Sequence, residues 1–196
     1  MKIVITEFMS LDGVVQAPGG AEEDTDGGFR HGGWSHPFFD EEVMGSAIDA
    51  GAQRTDALLY GRRTFEVMAS AWPDRAGDPF ADRLNSTEKH VVTDTLQDSD
   101  ITWGPTSIIR GADLTSAVNA LRDRPGGDVN VWGSSQLVRS LMAADLIDEM
   151  NLMIEPIVLG GGKSIFPGDG EARPFRLISA VTAKTGAQIC RYERAR

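Results

Sequence analysis

Residues 57–66 read Ala57-Leu58-Leu59-Tyr60-Gly61-Arg62-Arg63-Thr64-Phe65-Glu66: a short apolar run, a glycine, and the polar start of a segment with Phe65, Met68, Ala69 and Trp72 at helical spacing before Pro73. This is a strand, a turn and a helix. The first turn of such a helix leaves backbone N–H groups free, and its dipole favours an anion; Arg62, Arg63 and the Thr64 hydroxyl add donors at the same point. One reading of Gly61 to Thr64 is therefore a phosphate site. The other is a plain turn with its arginines in water, and the stretch alone does not separate the two.

A second stretch has the same grammar. Asp128 to Trp132 is strand-like, Gly133-Ser134-Ser135 turns, and Gln136 leads into a helix carrying Leu137, Val138, Leu141 and Met142. A small residue at such a junction lets a pyrophosphate approach the backbone, and two hydroxyls stand ready to donate. Two junctions suit a dinucleotide, although the GxGxxG spacing and its following acid are absent. A third element, Leu159-Gly160-Gly161-Gly162-Lys163, puts three glycines at a strand end, either to let a ligand touch the chain or as a flexible turn.

Working outward, Lys2 to Met9 is a buried strand ended by Ser10-Leu11-Asp12-Gly13. The glycine-rich residues up to Gly33 make a long loop, read as a lid. Asp40 caps a helix with Val43, Met44, Ala47, Ile48 and Gly51 on one face. His90 to Thr93 and Ser107 to Ile109 are strands, Asp113 to Arg122 is a helix, and Met150 to Leu159 is a long strand. Phe175 to Val181 and Gln188 to Glu193 flank Thr185-Gly186 as a hairpin. About eight strands and four helices in alternation predict an α/β fold: one mixed, mostly parallel sheet with helices on both faces and an antiparallel hairpin at its end, as a single domain over residues 1–196.

Composition narrows the function. A formal net charge of -10, from 29 acidic against 19 basic residues, repels a nucleic-acid backbone, so any phosphate must be held by local devices. Cys190 is the only cysteine, which excludes an intrachain disulfide, and Met1 runs into a strand without a signal-peptide core; the expectation is a cytoplasmic protein. No apolar stretch is long enough to span a membrane. The three histidines lack a partner pattern for a metal site, and none is expected.

Taken in order, these elements resemble the dihydrofolate reductase superfamily, and within it the branch of the reductase domain of the bifunctional riboflavin-biosynthesis deaminase-reductase. The carriers are Ser10-Leu11-Asp12-Gly13, Gly33-Trp34, Leu59 to Glu66, Val92-Thr93, Val131 to Leu137, and Leu146-Ile147-Asp148-Glu149 leading to Pro156 through Gly162. The resemblance implies a dihydrofolate reductase-like three-layer fold with NADPH across the sheet ends. Gly61, Arg62, Arg63 and Thr64 lie near the adenosine phosphates, Thr93 near the 2′-phosphate, and Gly133, Ser134, Ser135, Gln136 and Leu137 under the pyrophosphate. Gly160, Gly161 and Gly162 border the nicotinamide.

The implied activity is NADPH-dependent reduction of a small heterocyclic or ribosylamino-pyrimidine substrate. Pterin reduction and NADPH binding without turnover are the alternatives. Asp12 and Glu155 are the candidate catalytic acids, with a turn role open for Asp12 and an exposed strand position for Glu155. Ser10, Gly13 and Trp34 are placed on the substrate side, Trp34 with His31, His36 and Phe38 either as an aromatic wall or as an anchor for the loop. The zinc deaminase motif is absent, and no acid stands at Met44 or Gly45, where dihydrofolate reductase has its pterin-binding carboxylate. The branch, and the terminal hairpin, also imply a homodimer.

Overall fold

Along Ala57-Leu58-Leu59-Tyr60 the side chains part strictly by parity. Ala57 and Leu59 enter one apolar cluster, Leu58 and Tyr60 another, so this strand is covered on both faces. In the computed structural model, which describes residues 1–195, it is β2 (Thr55–Gly61). The other strands are β1 (Lys2–Ser10), β3 (Glu88–Val92), β4 (Thr106–Ile109), β5 (Asp128–Val131), β6 (Glu149–Glu155), β7 (Phe175–Thr182) and β8 (Gln188–Arg194). They form one sheet in the order β4-β3-β2-β5-β1-β6-β8-β7. Pairing is parallel from β4 through β6, and β8 runs antiparallel to both β6 and β7.

One face carries α4 (Leu114–Arg122) and α5 (Ser135–Ala143), whose Val118, Leu121, Val138 and Leu141 pack on Ile3, Ile5, Leu59, Val129 and Val131. The other carries α1 (Ser46–Arg54), α2 (Arg62–Ala71) and α3 (Pro79–Ser86). There Phe65 and Leu84 pack on Leu58, Tyr60 and Val91, while Met44 and Ile48 lie over Met153. The expected mixed sheet, two covered faces and terminal hairpin are all present, the hairpin closing through Gly186 at φ +88°.

Three details differ from the sequence reading. α3 was not expected: Asp78 caps it through Phe80 and Ala81 N–H, and Pro79 starts it, but only Ala81 and Leu84 are buried, too short an apolar stripe to register. β6 stops at Glu155 rather than Leu159, because Pro156 has no N–H to continue the ladder and the chain turns through Ile157 N–H to Glu155 O. The helix capped by Asp40 opens with one wide π-type turn, Glu41–Gly45, before α1 begins.

Candidate functional site

The two strand–glycine–helix stretches become neighbours because β2 and β5 are adjacent. Gly61 N–H donates to Gly133 O at 3.2 Å, and a Cβ on Gly61 would stand 2.3 Å from Ser134 Oγ, so only glycine fits there. Gly133 holds φ +78°, and a Cβ on it would meet Thr64 Oγ1 at 3.0 Å. Neither α2 nor α5 has a side-chain cap, in contrast to α3. Two helix N-termini therefore present free N–H groups, with Thr64, Ser134, Ser135, Gln136 and Leu137, at one edge of the sheet.

The arginines part company. Arg62 turns along the edge toward β3, donating to Thr95 Oγ1 at 2.8 Å, and Thr95 lies 3.3 Å from Thr93 Oγ1. Arg63 turns the other way, to Asp24 and Asp26 of the long loop. Lys163, just after the glycine run, also bridges both acids, at 2.5 Å and 2.9 Å. Lys163 first and Arg63 second hold the Asp26 carboxyl below its ordinary range.

β1 and β5 pair only from Lys2↔Asp128 to Ile5↔Val131, whereas β1 continues to Ser10 along β6. Beyond Ile5 the two strands leave a cleft at the same edge as the junctions. Glu7 faces it from the α5 side: buried, with no partner for Oε1, its carboxyl is pushed up to about 8 by burial, the Glu23 charge adding to the effect. On the opposite face, Glu155 ends β6 beside Ser10. It is fully buried, accepts from Ser35 Oγ at 2.6 Å, and has no partner for Oε2; burial pushes it up to about 7 against the pull of that bond. Trp132 Nε1–H, also buried on this face, is unpartnered.

Asp12 is placed differently. Its carboxylate accepts from Ser10 Oγ at 2.6 Å, Leu159 N–H at 3.1 Å and Gly160 N–H at 2.8 Å, and the Ser10 bond leads in lowering its pKa. Gly13, at φ +80°, makes the turn that brings Val14 N–H to Ser10 Oγ at 2.9 Å. Trp34 is buried and spends its N–H on Gln16 O at 2.8 Å, anchoring the loop; His36 binds Gly19 O, and Phe29 and His31 meet edge to face. Gln16 in turn donates to the carbonyls of Asp24 and Asp26, so the loop is knit by its own bonds.

The structure thus gathers Gly61, Arg62, Thr64, Thr93 and Gly133 to Leu137 along one edge, puts Glu155 at its end, and moves Arg63, Asp12, Trp34 and Gly160 to Gly162 to the loop side. Sequence reasoning missed Glu7, Ser35 and Gln16. Glu7 is an acid in the middle of a mainly apolar strand, and that was the available signal. Two hollows adjoin the edge. An open groove of about 530 Å³ runs between loop residues 26–31 and the glycine run, with neither Gly61 nor Gly133 in its wall. A smaller cavity of about 200 Å³ lies between α1 and the sheet and reaches Thr6, Asn130, Trp132 and Asn151. The smaller one meets the cleft, at Thr6 and Trp132.

Comparison with known proteins gives a consistent picture. The family model of the RibD C-terminal domain matches residues 1–190. A protein of Shewanella sp. PV-4 named for riboflavin biosynthesis superposes with TM-score 0.74 at 21% identity, covering 100% of both chains. The diaminohydroxyphosphoribosylaminopyrimidine deaminase/5-amino-6-(5-phosphoribosylamino)uracil reductase of Thermotoga maritima gives 0.65 at 11% identity, over 99% of this chain and 56% of that one. Dihydrofolate reductase of Enterococcus faecalis, complexed with NADP(H), gives 0.61 at 15% identity over 100% and 97%. The fold is dihydrofolate reductase-like.

Proposed function

Because the chain belongs to the RibD C-terminal domain family, we propose that it is an NADPH-dependent reductase of a small heterocyclic or ribosylamino-pyrimidine substrate. The observation that carries this reading is the pair of uncapped helix N-termini locked together by Gly61 and Gly133 at the sheet edge, with Arg62, Thr93 and Thr95 clustered one strand further on. That spacing suits a dinucleotide: pyrophosphate on the N–H groups of Thr64 and Gly133 to Leu137, 2′-phosphate on Arg62 and Thr93. When bound, NADPH supplies the hydride.

The remaining work falls to side chains around the cleft. The cavity floor of Thr6, Asn130 and Asn151, with the free Trp132 N–H, offers hydrogen bonds to a polar ring, and Met153 and Ile48 offer apolar cover. Glu155 is the proposed proton donor, since burial raises its carboxyl to about 7, so that about half of it is protonated at neutral pH, and Ser35 orients it. Asp12, ionised and committed to Leu159 and Gly160, holds the glycine run beside the loop. The same reading makes the loop a lid latched by Asp24 and Asp26, the chain a cytoplasmic homodimer, and residues 1–196 one domain.

The test is a fluorescence titration with NADPH and NADH, followed by turnover across pterin and ribosylaminopyrimidine compounds. NADPH should bind about tenfold or more tighter than NADH, and Arg62→Ala should erase the difference. Equal affinities in the wild type would remove the 2′-phosphate assignment, and reduction of no compound in the panel would leave a binding protein.

A further inference from the structure

Five parallel strand ends line the edge in the order β3, β2, β5, β1, β6, at about 4.8 Å per strand. With the 2′-phosphate at Thr93 on β3 and the pyrophosphate at Gly61 and Gly133 on β2 and β5, the next strand along is β1. The cofactor's ring end then reaches the cleft that opens beyond Ile5↔Val131, where Glu7 stands. The Glu7 carboxyl, the Thr64 hydroxyl and Gly133 converge there: the space a Gly133 Cβ would take is 3.6 Å from Glu7 Oε1 and 3.0 Å from Thr64 Oγ1.

We propose that Glu7 is a cofactor-binding residue whose neutral carboxyl receives the carboxamide of the nicotinamide ring, its O–H donating to the amide oxygen and its C=O accepting from the amide N–H. This rests on the NADPH reading above. Oε1 is enclosed and lacks any partner within the protein, so the group has an unused hydrogen-bonding capacity beside Gly133, where the cleft begins. No cationic group acts on it. Thr64 from α2, Gly133 from the β5–α5 turn and Leu152 alongside on β6 bring no charge, and the charged group that acts on it is Glu23 from the loop, a second carboxylate. A protonated acid offers one donor and one acceptor side by side, and a primary amide offers the complementary pair. The environment that keeps the proton on Glu7 to about pH 8 is what makes the donor available in neutral solution.

The experiment compares the full chain with its Glu7→Gln and Glu7→Leu variants, titrated with NADPH and with 2′,5′-ADP, which has the 2′-phosphate and the adenosine-side 5′-phosphate but neither the second phosphate of the pyrophosphate nor the nicotinamide, at about pH 6.5 and about pH 9.5. Gln keeps donor and acceptor without titrating. Expected for NADPH is a loss of about tenfold in wild-type affinity at the higher pH beyond any loss for 2′,5′-ADP, a Gln variant flat within about threefold, and a Leu variant about tenfold weak already at the lower pH. All three should bind 2′,5′-ADP alike. The assignment is overturned if wild type and Gln variant share one pH dependence, or if the Leu variant binds NADPH as wild type does. Those outcomes leave the cofactor reading intact, whereas failure of both ligands to bind wild type ends that reading and this assignment together.

Discussion

Two buried side chains make separable predictions about stability. Glu7 has a folded pKa of about 8 against an ordinary 4.5, so between those values the native state holds a proton that the unfolded chain has released. The stability this confers is complete below 4.5 and is lost as pH rises through 8. Glu155, at about 7, adds a slope of the same sign. Glu7→Gln should therefore gain thermal stability relative to wild type as pH is raised from 5 to 8, by an amount on the order of a few kcal/mol at the upper end; parallel melting curves across that range would contradict the burial of a titrating carboxyl. Tyr60 is the simpler case. Its hydroxyl is buried without a partner, so Tyr60→Phe removes a desolvated polar group and keeps the ring against Trp103. Denaturant unfolding should show the variant equal to wild type or more stable by about 1 kcal/mol, and a loss beyond about 1 kcal/mol would show that the hydroxyl has a bonding role.

Loop residues 14–33 depend on a few crossing bonds: Asp24 and Asp26 to Arg63 and Lys163, and Gln16 across its base. Replacing both acids by Asn should speed amide exchange in peptides covering 19–33 and leave β1 and β5 unchanged; unaltered loop exchange would mean that Gln16 and Trp34 suffice to hold it. Much of this architecture was legible in sequence because parity and helical spacing are local signals. The strands announced themselves by apolar and β-branched runs or, at the end of the chain, by the turn between them, and Gly61 and Gly133 by their place between strand and helix. The pairing of those two glycines was not legible, since it depends on β5 inserting beside β2, and no local signal orders strands. The divergence of Arg62 and Arg63 was hidden for the same reason: adjacent residues on a helix point about 100° apart, and which one faces the edge is fixed by how α2 docks through Phe65 and Met68. Asp12 and Glu155 were both candidate acids in sequence, one at a turn and the other on a strand that could be exposed, and the fold gives the first a set of N–H donors and the second a buried enclosure.

At the scale of the molecule, β7 ends the sheet with one edge unpaired and with Leu177, Ile178 and Val181 exposed by 50%, 39% and 51%. A second copy covering this strand is the proposed homodimer, and light scattering at micromolar concentration should give twice the 21.2 kDa chain mass. Val181→Lys should shift the mass toward the monomer; a wild-type monomer would refute the proposal. The opposite extreme of the chain has its own fate. β1, the first of the eight strands in chain order, sits in the middle of the finished sheet, and its register partners begin at Asp128 on one side and Glu149 on the other. At roughly 5–20 residues per second of synthesis, its Ile3, Val4 and Ile5 wait on the order of ten seconds for either neighbour. During that interval the nascent chain carries an unsheltered hydrophobic strand, a natural target for chaperone capture. A ribosome-stalled chain ending near residue 120 should bind holdase chaperones and remain protease-sensitive within β1, while one carrying β6 clear of the exit tunnel should do neither.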